Sequence, residues 1–192
     1  AVIGTGASAI QFVPAIAGQV SQLSVFQRSA AYILPRPDGP YAGWRKAMFK
    51  RLPWTMTLHR ARIYAQYEGR ALAFIRIKAL MALAGGLPFK KLLHRQVPDA
   101  GLRARLTPDY PIGCKRILLS NEYLATMVKP NVNLVTQGIR RITADGIETT
   151  DGQHHAVDAI IYGTGFAATE FLAPMTITGR AGRELNDVWR KG

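Results

Sequence analysis

A glycine-rich turn near the start of the chain has the residue types needed to bind a phosphate. Gly4 and Gly6 follow the apolar run 1–3, which predicts a short strand, and precede apolar residues at helical spacing from Ser8 to Val20. Gly4 would permit a tight turn, Gly6 would let the backbone approach a pyrophosphate, and Ala9 is a small third residue of the pattern. The positive end of the helix would then face the phosphates. The pattern predicts a dinucleotide-binding loop; glycines with only a packing role are the alternative.

Basic residues at two later positions could select the nicotinamide cofactor. The β-rich stretch 22–27 predicts a second strand, and NAD-selecting folds place an acidic side chain at the end of that strand. Arg28 and Ser29 stand there instead, which favours the 2′-phosphate of NADP, unless Arg28 is only a solvated arginine. Lys115 and Arg116 follow a Pro-x-Gly turn, so one could reach a phosphate and the other a reacting centre, or they form a surface basic pair.

The elements around these residues alternate between strand, turn and helix, which predicts an α/β fold. We expect a Rossmann-like NADP-binding domain with a β-meander and a helical insertion of three or four helices over 41–106. A helix is predicted over 120–128, with Ser120 or Asn121 as its cap. Further strands are predicted over 131–135, 139–143, 146–150 and 154–162, with 159–162 buried and followed by a second glycine turn, 163–166.

The composition of the chain limits the classes of protein to which it can belong. The 192 residues carry 48% hydrophobic residues, a net charge of +13 and one cysteine, Cys114, so no internal disulfide is possible and a reducing cytoplasm is expected. The apolar stretch 71–87 contains Arg76 and Lys78, so no stable membrane insertion is expected. We expect the four histidines to hold no metal and Cys114 to be a packing residue.

The positive charge supports a competing hypothesis, a module that binds nucleic acid or a membrane surface. Residues 44–106 hold 14 lysines and arginines against only Glu68 and Asp99. These charges fall on more than one helix face and no nucleic-acid motif accompanies them, so no nucleic-acid partner is expected.

Five ordered motifs resemble the flavin-containing monooxygenases, most closely the Baeyer–Villiger type such as cyclohexanone and 4-hydroxyacetophenone monooxygenases. The similarity extends over nearly the whole chain and is least specific in the helical insertion. The motifs are residues 2–11, 25–29, 110–116, 131–135 and 162–166.

The resemblance implies two cofactors, FAD and NADPH, and a role for each motif. Arg116 matches an arginine beside the flavin that stabilises a negatively charged peroxyflavin and the intermediate formed with a ketone. The implied substrates are O2 and a ketone or another oxidisable organic compound. The residues expected to bind cofactor are Gly4, Thr5, Gly6, Ala7, Ser8, Gln11, Arg28, Ser29, Lys115, Gly163, Thr164, Gly165 and Phe166.

The resemblance also predicts how the chain is divided. Residues 1–40 and 107–165 would form the NADPH-binding domain, 41–106 the helical insertion, and 166–192 the start of a return to the FAD domain. The family's FAD-binding glycine loop and its phenylalanine-glycine-histidine-tryptophan fingerprint do not occur, so the chain is expected to be an internal piece that is inactive without its flavin domain. An N- or S-oxygenating flavin monooxygenase, or another FAD- and NAD(P)H-dependent oxidoreductase, remains the alternative; a disulfide reductase is disfavoured because no cysteine pair is present.

Overall fold

The computed structural model describes residues 1–75, 82–166 and 175–189. Arg76, Lys78 and part of the segment 166–192 therefore lie outside the described residues. The described helices are α1 (Ala9–Ile16), α2 (Gly43–Arg51), α3 (Pro53–Ile75), α4 (Leu87–Gln96), α5 (Ala100–Arg105), α6 (Tyr123–Thr126) and α7 (Leu185–Trp189), with a π-helical segment, Ala82–Gly86, and a 3-10 turn, Arg180–Gly182.

Four short strands form a parallel sheet, which confirms the α/β expectation. Its spatial order is β5 (Val132–Val135), β2 (Leu23–Phe26), β1 (Val2–Ile3) and β9 (Ile161–Tyr162). All three neighbouring pairs are parallel, with α1 connecting β1 to β2. The carboxyl ends of these strands therefore share one edge of the sheet, where the loops that follow them meet.

Two smaller sheets complete the β-structure. The strands β3 (Ile33–Leu34) and β4 (Leu118–Leu119) pair in parallel, which joins the segment after β2 to the segment after α5. An antiparallel meander consists of β6 (Ile139–Ile142), β7 (Gly146–Thr149) and β8 (His154–Ala156). The predicted meander is thus confirmed.

The sheet is covered on both faces, because consecutive side chains of a strand point in opposite directions. All four residues of β2 are buried. Leu23 and Val25 belong to the main hydrophobic core, which they share with α1, α4 and α6. Phe26 belongs to a second cluster with Val135 and Ile147, so the meander packs on the opposite face. Part of the predicted helical insertion, α4, contributes Phe89, Leu92 and Leu93 to the main core.

Several predicted boundaries and one burial prediction were wrong. Helix α1 ends before Val20, which is 39% exposed, because Gly18 is a poor helix former and Asn131 donates hydrogen bonds to the carbonyl oxygens of Ala17 and Val20. The stretch 154–162 is divided between the meander and the parallel sheet. Its last strand, β9, was predicted to be buried, yet Tyr162 is 63% exposed. Within the described residues β9 pairs only with β1, so it lies at the edge of the sheet.

Candidate functional site

The two glycine turns meet at the carboxyl edge of the parallel sheet. Gly4 has a φ of +109°, which a residue with a side chain rarely adopts. A Cβ at Gly4 would lie 2.8 Å from the carbonyl carbon of Gly163 and closer still to its oxygen. The main-chain nitrogen of Gly163 donates to the carbonyl of Ile3 at 2.8 Å, and that of Gly4 donates to the carbonyl of Phe26 at 3.0 Å. The first loop therefore requires glycine at position 4.

The first turn of α1 is open toward this edge. Gly6, Ala7 and Ser8 are exposed and come directly before the helix. The Ser8 side chain makes no capping bond, and Gln11 donates from Nε2 to the carbonyl of Ala7 at 2.9 Å. The amides of Ile10 and Gln11 bond back to the carbonyls of Gly6 and Ser8, so the backbone donors and positive dipole end that this turn offers to an anion lie before Ile10.

Ser29 connects the first loop to the second basic motif. It lies just past the end of β2, where its carbonyl accepts a hydrogen bond from Thr5 Oγ1 at 3.3 Å. Its own hydroxyl accepts a hydrogen bond from Lys115 Nζ at 3.0 Å, although the two residues are 86 positions apart. Arg28, next to Ser29, is exposed and forms no ion pair within the described residues. The residues expected at a 2′-phosphate are therefore neighbours in space.

Two tyrosines that the sequence reasoning did not assign support this arrangement. The Lys115 ammonium lies 4.4 Å from the centre of the Tyr110 ring. The Tyr110 hydroxyl donates to the carbonyl of Ala30, and Tyr32 donates to the carbonyl of Tyr110, both at 3.0 Å. Partial burial, helped by Tyr32 and Asp109, raises the pKa of Tyr110, so its hydroxyl stays protonated and able to donate. Only the position of Tyr110 before a Pro-x-Gly turn could have indicated this contact.

The remaining predicted residues are exposed and less constrained. Arg116 is exposed and makes no ion pair in the part of the chain that the structure describes. Thr164, Gly165 and Phe166 follow Gly163 on the surface; Gly165 has a φ of +100°, and Phe166 is 96% exposed. The structure thus brings the second turn to Gly4, whereas no hydrogen bond or ion pair joins Arg116 to either turn among the described residues.

Cys114 and the histidines do not add to the site. Cys114 is exposed, so the expectation that it packs was wrong; the turn that precedes Lys115 holds it at the surface. Within residues 1–75, 82–166 and 175–189, no three histidine, cysteine, aspartate or glutamate residues converge as a metal site would require. None of the helices in these ranges combines the length and apolarity that a membrane crossing requires.

Comparison with known proteins extends the resemblance. No family model matches the chain. It is 44% identical over its 192 residues to a Baeyer–Villiger monooxygenase of Pseudomonas aeruginosa, and 34% identical to the FAD-binding monooxygenase ktnD of Aspergillus niger, both alignments covering the whole chain. It covers 36% and 31% of these two relatives. Among solved structures, an oxidised steroid monooxygenase bound to NADP is similar at 32% identity and a TM-score of 0.72, over all of this chain and 43% of that one.

The chain therefore spans about a third of the length of the curated relatives it matches. Both the sequence similarity and the similarity in fold extend from the first glycine turn to the last described helix. The resemblance drawn from the five motifs is confirmed: this chain is similar, along its whole length, to one segment of the Baeyer–Villiger monooxygenases.

Proposed function

We propose that this chain is the NADPH-binding portion of an FAD-dependent monooxygenase that inserts one oxygen atom of O2 into a ketone. The observation that carries the proposal is the 3.0 Å bond from Lys115 Nζ to Ser29 Oγ at the end of β2. This bond supports a site in which a lysine, a hydroxyl and the neighbouring Arg28 would meet the ribose of a nicotinamide cofactor, which folds of this kind receive at the end of the second strand. The relatives named above support the reaction class.

The residues present fit NADPH. A parallel sheet in the order β5-β2-β1-β9, with α1 following the first glycine turn, supports a Rossmann-like domain that binds the pyrophosphate at the start of α1. The conformation of Gly4 and its close approach to Gly163 keep the loop tight, and no side chain at Gly6 obstructs its exposed surface. Arg28 and Lys115 supply two positive charges for a dianionic 2′-phosphate, which NADH lacks.

The residues assigned to the flavin side are Arg116 and the turn 163–166. When bound, FAD would supply the activation of O2, which amino-acid side chains do not provide. Arg116 would stabilise negative charge that develops during oxygen transfer. Gly163 packs against the first turn, since a Cβ there would lie 3.4 Å from both Ala9 Cβ and the carbonyl oxygen of Ile3. This close approach would place the segment 163–166 near both cofactors.

The proposed reaction balances as a Baeyer–Villiger oxidation. A ketone, O2, NADPH and one proton give an ester, NADP⁺ and water. One oxygen atom is inserted between the carbonyl carbon and a neighbouring carbon, and the other leaves as water together with the hydride of NADPH and one proton.

Isotope labelling tests this reaction. The natural protein that carries this sequence would be supplied with FAD, NADPH, ¹⁸O2 and a panel of ketones, amines and thioethers. We expect NADPH consumption to be matched by an ester or lactone that has gained one ¹⁸O atom, measured by mass spectrometry.

The controls separate the alternatives. NADH in place of NADPH should support much slower turnover at the same concentration. Labelled sulfoxides or N-oxides with no labelled ester would favour the N- or S-oxygenating alternative. NADPH oxidation without any labelled organic product, under all substrates tested, would contradict a monooxygenase.

A further inference from the structure

The aromatic ring of Tyr110 lies beside the one lysine that the proposed function assigns to the 2′-phosphate. We propose that Tyr110 is a positioning residue: its ring holds the Lys115 ammonium at the end of β2, ready for the 2′-phosphate of NADPH. The inference rests on the proposed function. Through Lys115, Tyr110 would contribute to the preference for NADPH over NADH without contacting the cofactor itself.

A tight turn brings the two side chains together. Cys114 N donates to the carbonyl of Pro111 at 3.2 Å, and Gly113 has a φ of +95°, the combination expected for a turn with glycine at its third position. Tyr110 immediately precedes this turn and Lys115 immediately follows it. The chain reversal therefore places the ammonium 4.4 Å from the ring centre, within the range of a cation–π interaction.

The ring is itself fixed to the segment that follows β2. Its hydroxyl donates to the carbonyl of Ala30, the residue after Ser29. Tyr32 donates to the carbonyl of Tyr110, and the two rings meet edge to face with centres 5.6 Å apart. The lysine-bearing turn is thus anchored beside Ser29 by contacts that do not involve Lys115.

The physical effect is to reduce the freedom that Lys115 would lose on binding. A lysine carries its charge on a flexible four-carbon stem, and an exposed one samples many rotamers. Here the ring on one side and Ser29 Oγ on the other hold the ammonium in place, and the bond to Ser29 uses only one of its three N–H groups. Binding a phosphate to a lysine held in this way costs less conformational entropy.

A set of variants of the natural protein tests the inference, with the dissociation constants of NADPH and NADH measured by calorimetry. Tyr110→Leu should weaken NADPH binding about two- to five-fold, the effect of losing a cation–π interaction at an exposed site, and leave NADH binding unchanged. Tyr110→Phe keeps the ring and should restore most of the affinity. Lys115→Met should weaken NADPH binding by about tenfold or more, and in that background Tyr110→Leu should have no further effect.

Tyr41→Leu is the matched control, because Tyr41 also has a cation, Arg45, 5.8 Å from its ring, while its ring contacts Phe49 and His59 and no residue assigned to the cofactor. It should change neither dissociation constant. In the unmodified protein, NMR should find the ε-methylene protons of Lys115 shifted upfield by the Tyr110 ring; this readout does not depend on the folding of any variant.

Four outcomes overturn the inference. Equal losses for NADPH and NADH in Tyr110→Leu would make Tyr110 a merely structural residue. If Lys115→Met weakens NADPH binding but Tyr110→Leu does not, Tyr110 has no positioning role and the proposed function stands. The same holds if the ε-methylene resonances of Lys115 are not shifted upfield. No loss of NADPH affinity in Lys115→Met would overturn the inference and contradict the proposed function as well.

Discussion

At the scale of single residues, the charge that could select the cofactor comes from two distant parts of the sequence. Arg28 and Ser29 end one strand segment, and Lys115 follows a turn 86 positions beyond Ser29. Residue type at the end of β2 was enough to predict NADP rather than NAD. The proximity of Lys115 to Ser29 was implied only by the family resemblance, because spacing along the chain carries no information on a contact between loops. The support from Tyr110 could not be predicted, since it depends on the geometry of a turn.

Replacing Arg28 tests the charge at this position directly. We expect Arg28→Ala to weaken NADPH binding by about 1.5–3 kcal/mol, the usual contribution of hydrogen bonds to charged groups, because its guanidinium would lose the 2′-phosphate. NADH, which has a free 2′-hydroxyl, should bind almost as before. Equilibrium titration of the natural protein with both nucleotides measures the difference.

A second arginine provides the control. Arg60 is also exposed but lies on α3, so Arg60→Ala should leave both affinities unchanged. If Arg28→Ala weakens NADPH and NADH equally, Arg28 does not bind the 2′-phosphate and the solvated-arginine interpretation is correct.

At the scale of elements, the candidate site lies at the sheet edge where two strands, β1 and β9, end in glycine turns. The sequence predicted both turns, at 4–6 and 163–166, but not that their backbones touch. That contact follows from the parallel pairing of β1 with β9, whose residues are about 160 positions apart in the chain. Position 4 requires glycine for two reasons: its φ is positive, and a Cβ there would clash with the carbonyl of Gly163. A larger residue would therefore disturb both turns.

We therefore expect Gly4→Ala to lower the free energy of unfolding by about 2–6 kcal/mol. Roughly 1–3 kcal/mol would come from the unfavourable φ, and a similar amount from the clash of the new Cβ with Gly163. Urea denaturation followed by circular dichroism measures the change.

Gly18→Ala is the matched control, since a Cβ there would meet no atom within 4 Å and its φ lies outside the left-handed range. It should be neutral or stabilise the fold by up to about 1 kcal/mol. Equal effects of the two substitutions would show that the contact between the turns is not a constraint.

Helices and strands could be predicted where the local sequence pattern determines them. They were predicted less well where tertiary contacts determine their ends. The strands β1, β2 and β5 were predicted to within one residue at each end, because short apolar runs bounded by turns indicate buried strands. The helix predicted over 120–128 is only four residues long, Tyr123–Thr126. The residue that precedes the helix is Glu122, so the prediction that Ser120 or Asn121 caps it was wrong. Ser120 Oγ, earlier in the chain, instead accepts a hydrogen bond from Tyr123 N at 3.1 Å, and Asn121 bonds to Arg36.

At the scale of the whole molecule, positive charge is distributed unevenly along the chain. The net charge is +13, and most of the excess lies in residues 44–106. The ion pairs found in the described residues lie outside this region; they join Arg36 to Asp38 and Arg140 and Arg141 to Glu148, and His154 also lies 3.3 Å from a carboxylate oxygen of Asp145. Mutual repulsion among the cations of α2 to α5 is therefore only weakly offset, and it should destabilise the folded chain at low ionic strength.

Added salt should for this reason raise the melting temperature. Raising sodium chloride from about 0.05 to 0.5 M shortens the Debye length to a few ångströms and should raise Tm by a few degrees, since 1 kcal/mol corresponds to about 2–4 °C for a chain of this size.

Two variants provide the controls. The double variant Lys46→Gln and Lys50→Gln removes two exposed charges from α2, so its Tm should depend less on salt. Lys129→Gln lies outside the basic region, so its Tm should respond to salt like that of the unmodified protein. Sodium chloride is preferable to sulfate, which stabilises proteins by exclusion from their surfaces whatever their charge. A Tm that falls with sodium chloride, or a salt dependence that the double variant does not reduce, would show that repulsion within the basic helices does not limit stability.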